Sequence, residues 1–375
     1  MGGDGQGDPP ADPEALRQHR RDAWTMSMRR VRLPRVLLFL ILTFALSWGF
    51  DAAVAGAAGY QAYLATGMTP WGMFVPAAVA LVLRMFIFPD SPLHYRRYQE
   101  KPRWLLLAYL VLTLAYGVVT VLAVSRPDHG RLLSGVGSLL ITLWTLLAIF
   151  LAGQTGPQAF RRAGLGLGDV ARGQRIALGA AGFLLLGAVL NLLFGLGAFQ
   201  GRPDRVYGVG VPAGLYPITL VVLFLAVALI GLPLSGLAAV FGEEYGWRGF
   251  LQDELGRAGR LPGALLVGLV WGLWHLPVIL RGVHTYPPSA LGLVLGLLFF
   301  LLWGLVQSYA VLKTGGIWAA AFTHGVVNSV YSFTLTYGVR PADNLWSFGL
   351  GVYGLACLTV IVALLLRDPV WREEG

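Results

Sequence analysis

Ten apolar runs divide this chain, at roughly 36–58, 71–88, 104–125, 133–153, 176–199, 213–240, 263–280, 289–312, 315–337 and 345–366, and almost no charge falls inside them. Each is close to the ~20 residues that a helix needs to cross a hydrocarbon core. The runs are built of Leu, Ala, Gly and Phe without the two-residue alternation of a membrane barrel. That leaves helices, the other structure that satisfies every backbone polar group inside lipid. Hydrophobic residues make up 56% of the 375 and charged residues 13%, too apolar a balance for a water-soluble globule. The expectation is an all-α, polytopic transmembrane helical bundle of about ten spans.

The charges between the runs carry an independent signal, because cytoplasmic segments hold an excess of Lys and Arg. With the first segment placed inside, six basic residues fall outside (Arg126, Arg131, Arg202, Arg205, Arg281 and Arg340), leaving 22 of the 28 on the inner side. Both termini are then cytoplasmic. The net charge of +9 is accounted for by this topology and by attraction to anionic lipid, with no nucleic-acid partner required. Residues 1–34 read as a disordered basic cytoplasmic arm. A cleaved signal peptide is not expected, since the apolar stretch after the arm is too long for a signal core. The one cysteine, Cys357, rules out an intrachain disulfide and a multi-thiolate metal site.

Ionisable groups inside a membrane are costly, so those that occur there are the first functional candidates. His19, His94, His129 and His284 fall in the arm or in loops. His275 (in WGLWHLPVIL) and His324 (in AAAFTHGVVNS) are at membrane depth. Among the acids only Asp51, Glu243 and Glu244 lie in or at the edge of a run, and Asp51, near the outer end of the first, reads as structural. Glu244 and Arg248, four apart on a helix with the acid first, share a face in the order that favours an ion pair. Glu243 points about 100° away from Glu244, so one carboxylate can be neutralised while its neighbour stays free. His324 and Asn328 are also four apart and project from one face. Gly242, Gly246, Gly249, Gly315, Gly316 and Gly325 allow these helices to approach closely. Pro277 removes a helical hydrogen bond and is expected to release the carbonyl of Leu273.

A carboxylate in a low-dielectric pocket is a stronger base than one in water and can take a proton from a water molecule. Glu243 suits that role. One nearby histidine can orient the water, while a second histidine and an asparagine can donate to the oxyanion of a tetrahedral intermediate. Glu243, His275 and His324 are equally competent as zinc ligands, since three protein ligands plus water make a catalytic site.

These residues resemble the CPBP intramembrane proteases, the family of type II CAAX prenyl endopeptidases and of bacteriocin-processing or self-immunity (Abi) proteins. The EExxxR motif is met by Glu243, Glu244 and Arg248 in EEYGWR. FxxxH is met by Trp271 and His275, with Trp in place of Phe, and HxxxN by His324 and Asn328. The resemblance covers about residues 235–335 and implies a protease core at 213–340, preceded by spans over 35–212 and followed by a last span and cytoplasmic tail over 341–375. It implies an endopeptidase in which Glu243 activates water with help from His275, His324 and Asn328 form the oxyanion site, and Glu244, Arg248 and Trp271 support them. Family members act either with a metal, Zn2+, or as metal-free glutamate-dependent enzymes. The expected partners are the bilayer and a peptide or protein substrate, lipidated or unmodified. The expected location is the cell membrane in a bacterium, with the cavity open to the cytoplasmic side near the inner end of the sixth run. Two other readings stand beside this one: a proton-coupled secondary transporter, and a catalytically inactive immunity or regulatory member of the family. GLGD at 166–169 matches a G-x-G-D protease signature, but Asp169 lies in a basic loop, so it reads as incidental.

Overall fold

The computed structural model describes residues 31–68, 70–200, 205–206, 209–282 and 286–372. Residues 1–30 of the basic arm, with His19, and Arg202 and His284 lie outside the described residues, while Leu33 and Pro34, expected in the disordered arm, open the first helix. The described chain is helical almost throughout, with two short antiparallel ladders. One of these pairs Gly197–Phe199 with Val339–Pro341.

Helix α1 spans Leu33–Ala58, α2 Trp71–Ile87, α3 Arg103–Ser125, α4 Gly130–Gln154 and α5 Val170–Leu193. The sixth run is divided. Helix α6 covers Ile218–Ser235, and after a break at Gly236 a second helix, α7, starts at Leu237–Glu244. It continues through a π-helical stretch, Tyr245–Leu251, to Gln252–Leu255. Helices α8 (Arg260–Trp274), α9 (Ala290–Thr314), α10 (Ile317–Tyr337) and α11 (Val352–Leu365) complete the bundle. Six helices among the described residues are long and apolar enough to cross a membrane, and α2, α8 and α11 are shorter apolar helices. Large side chains such as Val111, Leu114, Leu193 and Ile218 are more than half exposed, as a surface bathed in lipid rather than water requires.

Four runs differ from their expected extent, the run at 176–199 being helical only to Leu193, with Gly197–Phe199 in a strand. The run at 213–240 is not one uninterrupted span, and the acids that follow it lie in mid-helix rather than at a span end. The run at 263–280 breaks at His275, before Pro277. The run at 345–366 is helical only from Val352. Its first residues form an irregular segment because the Asn191 side chain holds Phe348 at both backbone groups, accepting from its N–H at 2.8 Å and donating to its carbonyl at 3.2 Å. An asparagine inside an apolar helix thus satisfies a backbone that helix bonds do not.

Small residues set the central crossings. A Cβ on Gly304 of α9 would come within 2.7 Å of the Gly268 Cα of α8. One on Gly173 of α5 would meet the Ala319 Cβ at 3.2 Å. Indole and phenol donors tie other helices together: Trp71 Nε1 to Thr113 O at 2.7 Å, Trp144 Nε1 to Leu105 O at 3.1 Å, and Tyr109 Oη to Ala238 O at 3.0 Å. The last of these holds the start of α7 against α3. Asp169 caps α5, accepting from Arg172 N at 2.9 Å, a local structural role in keeping with its loop position.

Candidate active site

Helix α7 is buried along its whole first half, from Leu237 to Glu244. Within it Glu243 is 2% exposed, Glu244 0% and Arg248 2%. The two carboxylates face different surroundings, as one residue's rotation on a helix requires. Glu243 lines a cavity of about 300 Å³ together with His275, His324, Asn328 and Trp271. Its Oε2 accepts a hydrogen bond from Trp271 Nε1 at 2.7 Å. Glu244 and Arg248 are behind that wall. Arg248 Nη1 lies 3.2 Å from Glu244 Oε1 and 3.1 Å from Oε2, and its guanidinium rests 4.4 Å over the Trp271 ring.

Glu244 has a second partner that spacing did not disclose. Its Oε1 is 2.8 Å from Nδ1 of His324, so one carboxylate holds both the arginine and the histidine ring. A carboxylate can only accept when ionised, which assigns the proton to Nδ1 and turns Nε2 toward the cavity that His324 lines. His275 is oriented by its own helix. Its Nδ1 is 2.9 Å from the Trp271 carbonyl, which makes Nδ1 the protonated atom. Its ring stacks on Phe300 at 3.8 Å between centroids, with an 18° angle between planes.

The helix break before Pro277 explains why that carbonyl needs a side-chain donor. His275 N bonds to Gly272 O and not four residues back, so Trp271 O goes to the imidazole. Trp274 O takes Trp48 Nε1 from α1 at 3.0 Å. The side-chain contacts generated by the break therefore fall at Trp271 and Trp274, where Leu273 was expected.

Residues outside the C-terminal helices complete the cavity. Ser47, Trp48 and Asp51 of α1, Gly72 and Met73 of α2, and Leu350 all line it. Asp51, read from sequence as structural, is part of this wall, and its Oδ1 is buried without a hydrogen-bond partner. Ser47 is 2% exposed and its hydroxyl is also unpartnered. Other helical hydroxyls behave differently: Thr113, Thr120, Thr145, Thr314 and Ser329 each donate to the carbonyl four residues back. Thr43, Ser47 and Asp51 recur every four residues on one face of an otherwise apolar helix, a polar stripe that was the available signal for this wall.

Glu243, His275 and His324, the ligands expected if a metal is bound, all line this cavity. Among the described residues no group of three His, Cys, Asp or Glu side chains is placed to hold a metal ion; the Nδ1 contacts of both histidines would leave Nε2 as the atom facing one.

The cavity has a definite place along the helices. Helices α1, α2 and α7 each have an arginine-rich end, at Arg32, Arg84 and Arg257, where a second cavity lies. Each runs from there to the Glu243 cavity, at Ser47, Gly72 and Glu243, over ten or more residues, or ~15 Å or more at 1.5 Å per residue. From Glu243 the cavity continues away from the arginine-rich end, toward Asp51, Pro70 and Val278. Helix α7 carries the acids in mid-bundle, and Arg248, counted among the cytoplasmic charges, is buried beside them.

The fold and the site define a helical membrane protein with a buried glutamate, two histidines and an asparagine on one internal cavity. Residues 218–330 match the family model described as type II CAAX prenyl endopeptidase, Rce1-like, which agrees with the resemblance carried by the three motifs. A curated relative, CAAX prenyl protease 2 of Methanococcus maripaludis, is 40% identical over 67 residues, 17% of this chain and 24% of the relative. The chain thus spans about a quarter of the length of that relative. No solved structure matches.

Proposed function

We propose that this chain is a membrane-embedded endopeptidase of the CAAX prenyl protease kind, with Glu243 as the general base. The observation that carries the reading is the separation of the two glutamates. Glu243 lines the cavity with an indole N–H fixing one oxygen, while Glu244 is occupied by Arg248 and His324.

In this reading a water molecule between Glu243 and the scissile carbonyl gives its proton to Glu243 as its oxygen bonds to the carbonyl carbon. His275, with Nδ1–H committed to Trp271 O, presents Nε2 as an acceptor that orients the water. The oxyanion accepts from the Asn328 amide and, when the ring is protonated, from His324 Nε2–H, whose charge Glu244 stabilises. Collapse of the intermediate breaks the C–N bond as Glu243 returns the proton to the leaving amine. The substrate is a peptide or protein reaching the cavity within the bilayer, with a lipid-modified segment favoured by the aromatic walls of Trp271, Trp274, Phe299, Phe300 and Trp303. The Lys and Arg distribution puts the arginine-rich end and both termini in the cytoplasm, which leaves the cavity on the other half of the membrane.

The test is cleavage of a peptide library by purified protein in detergent, for wild type, Glu243→Gln and Glu243→Ala. Loss of at least ~10²–10⁴-fold in both variants is expected for a missing general base. Undiminished cleavage in both overturns the assignment. The same preparation after exhaustive chelation, with metal content measured, decides between the metal-dependent and metal-free forms of the reaction.

A further inference from the structure

The second cavity, of about 340 Å³, lies at the opposite ends of the same helices and takes no part in the proposed hydrolysis. Six arginines (Arg32, Arg35, Arg84, Arg161, Arg162 and Arg257) line it against three acids. We propose that this cavity binds a phosphate-bearing anionic group of the kind that an anionic phospholipid headgroup presents.

The charges do not balance within the cavity. Arg32 and Arg257 share Glu254, the first through Nε at 2.8 Å and the second through Nε at 3.4 Å. Arg35 and Arg32 share Asp90, and Arg84 takes Asp253 at 3.0 Å. The partner of Arg162 is Glu100, at 2.7 Å, which is not part of the lining. Arg161 enters none of the ion pairs formed among the described residues. The cavity therefore holds an excess of guanidinium, and unsatisfied N–H forks suit phosphate oxygens, which accept two parallel bonds from one arginine.

Two of the six, Arg35 and Arg84, are also held in place before any ligand arrives. The Arg35 guanidinium lies 4.4 Å over the Phe88 ring, and that of Arg84 lies 5.3 Å over Phe250. Their side chains are only 18% and 16% exposed. Ordering them in advance lowers the entropy cost of binding. A basic pocket between helices, at the end that the basic residues assign to the cytoplasmic leaflet, meets anionic headgroups at their own depth. A zwitterionic headgroup brings its own cation and gains less from excess positive charge. Arg84 also donates to Gly249 O of α7 at 2.8 Å, so occupancy braces the helix that carries Glu243.

Native mass spectrometry of the full chain, equilibrated with phosphatidylglycerol or phosphatidylcholine in detergent, tests the site. Phosphatidylglycerol should be retained preferentially. Arg161→Gln should weaken that retention about fivefold, the size of one basic residue's contribution at a membrane surface. The control Arg131→Gln, on an exposed position outside this cavity, should leave it unchanged. Asp90→Asn should strengthen retention, because it releases Arg35 and part of Arg32, and a damaged fold does not produce a gain. Competition by inorganic phosphate, with protection against thermal unfolding by phosphate alone, would assign the site to a soluble phosphate rather than a lipid. Equal retention of the two lipids, or Asp90→Asn weakening retention, would overturn the proposal. None of these readouts depends on peptide cleavage.

Discussion

Glu243 and Glu244 are neighbours with opposite surroundings, and the predictions that separate them belong to single residues. Removing one member of a buried ion pair leaves the other charge uncompensated, at a cost of ~3–5 kcal/mol. Arg248→Met should therefore lower the thermal midpoint markedly in detergent. The double variant Glu244→Gln with Arg248→Met should recover part of the loss, and a midpoint no higher than in the single variant would show that the pair is not what holds this layer. Trp271→Phe keeps an aromatic ring but deletes the N–H that holds Glu243 Oε2. Hydrogen bonds to charged groups contribute ~1.5–3 kcal/mol, so kcat for peptide cleavage should fall about tenfold to a hundredfold with KM little changed. An unaltered kcat would mean that the indole does not position the base. Sequence spacing disclosed the Glu244–Arg248 pair because both residues share one helix. It could not disclose that Glu244 also holds His324, eighty positions away, since only the packing of α10 on α7 brings them together.

At the scale of elements, the glycines of α7 are not equivalent. A Cβ on Gly246 would collide with Pro76 of α2, and one on Gly242 with the Met73 carbonyl and the Tyr109 hydroxyl. A Cβ on Gly249 would make ordinary contacts, with the Tyr245 ring at 3.5 Å and Ile317 Cδ1 at 3.9 Å. Overpacking costs ~1–3 kcal/mol or more where backbone must move. Gly246→Ala should therefore sharply reduce the yield of folded protein and its thermal midpoint, while Gly249→Ala should stay close to wild type. Equal behaviour of the two would mean that α7 does not pack on α2 at this distance. Most of the helices were legible as apolar runs, since a helix satisfies its own backbone inside lipid. The break at Gly236 was not legible, because glycine and proline are common in membrane helices whether or not they interrupt them. The kink at His275 was legible through Pro277, although the carbonyls it hands to side chains were not.

For the whole molecule, the two cavities at opposite ends of α1, α2 and α7 make orientation measurable. Cys357 is the one cysteine in the chain and is exposed, so Cys357→Ser supplies a thiol-free background. With Cys placed at Arg161 or at Asp51 in sealed inside-out vesicles, an impermeant maleimide should label the first and spare the second. The reverse pattern would put the Glu243 cavity on the cytoplasmic side. The tail is fastened to α9 by Asp368, whose carboxylate takes Lys313 Nζ at 2.6 Å. That ammonium, with the Val370 N–H, holds the Asp368 carboxyl down to about 2, against ~3.9 in an unfolded chain. The folded value is the lower one, so this stabilisation is full above about pH 4 and is lost as pH falls toward about 2. The difference in thermal midpoint between wild type and Asp368→Asn should shrink over that window. A difference independent of pH would show that the ion pair does not hold the tail.

Local rules were enough for the class and the motif residues. Apolar length, the scarcity of intramembrane charge and the four-residue spacings are properties of single segments in lipid, and they point to a helical bundle with Glu243, His275, His324 and Asn328 as its candidate groups. The tertiary structure decided what depends on contacts between distant segments: that Glu244 holds His324 as well as Arg248, that α1 supplies Ser47 and Asp51 to the cavity, and where along the bundle the cavity lies. The physical reason is that a helix satisfies its own backbone locally. The partners of its buried side chains come from whichever helices pack against it.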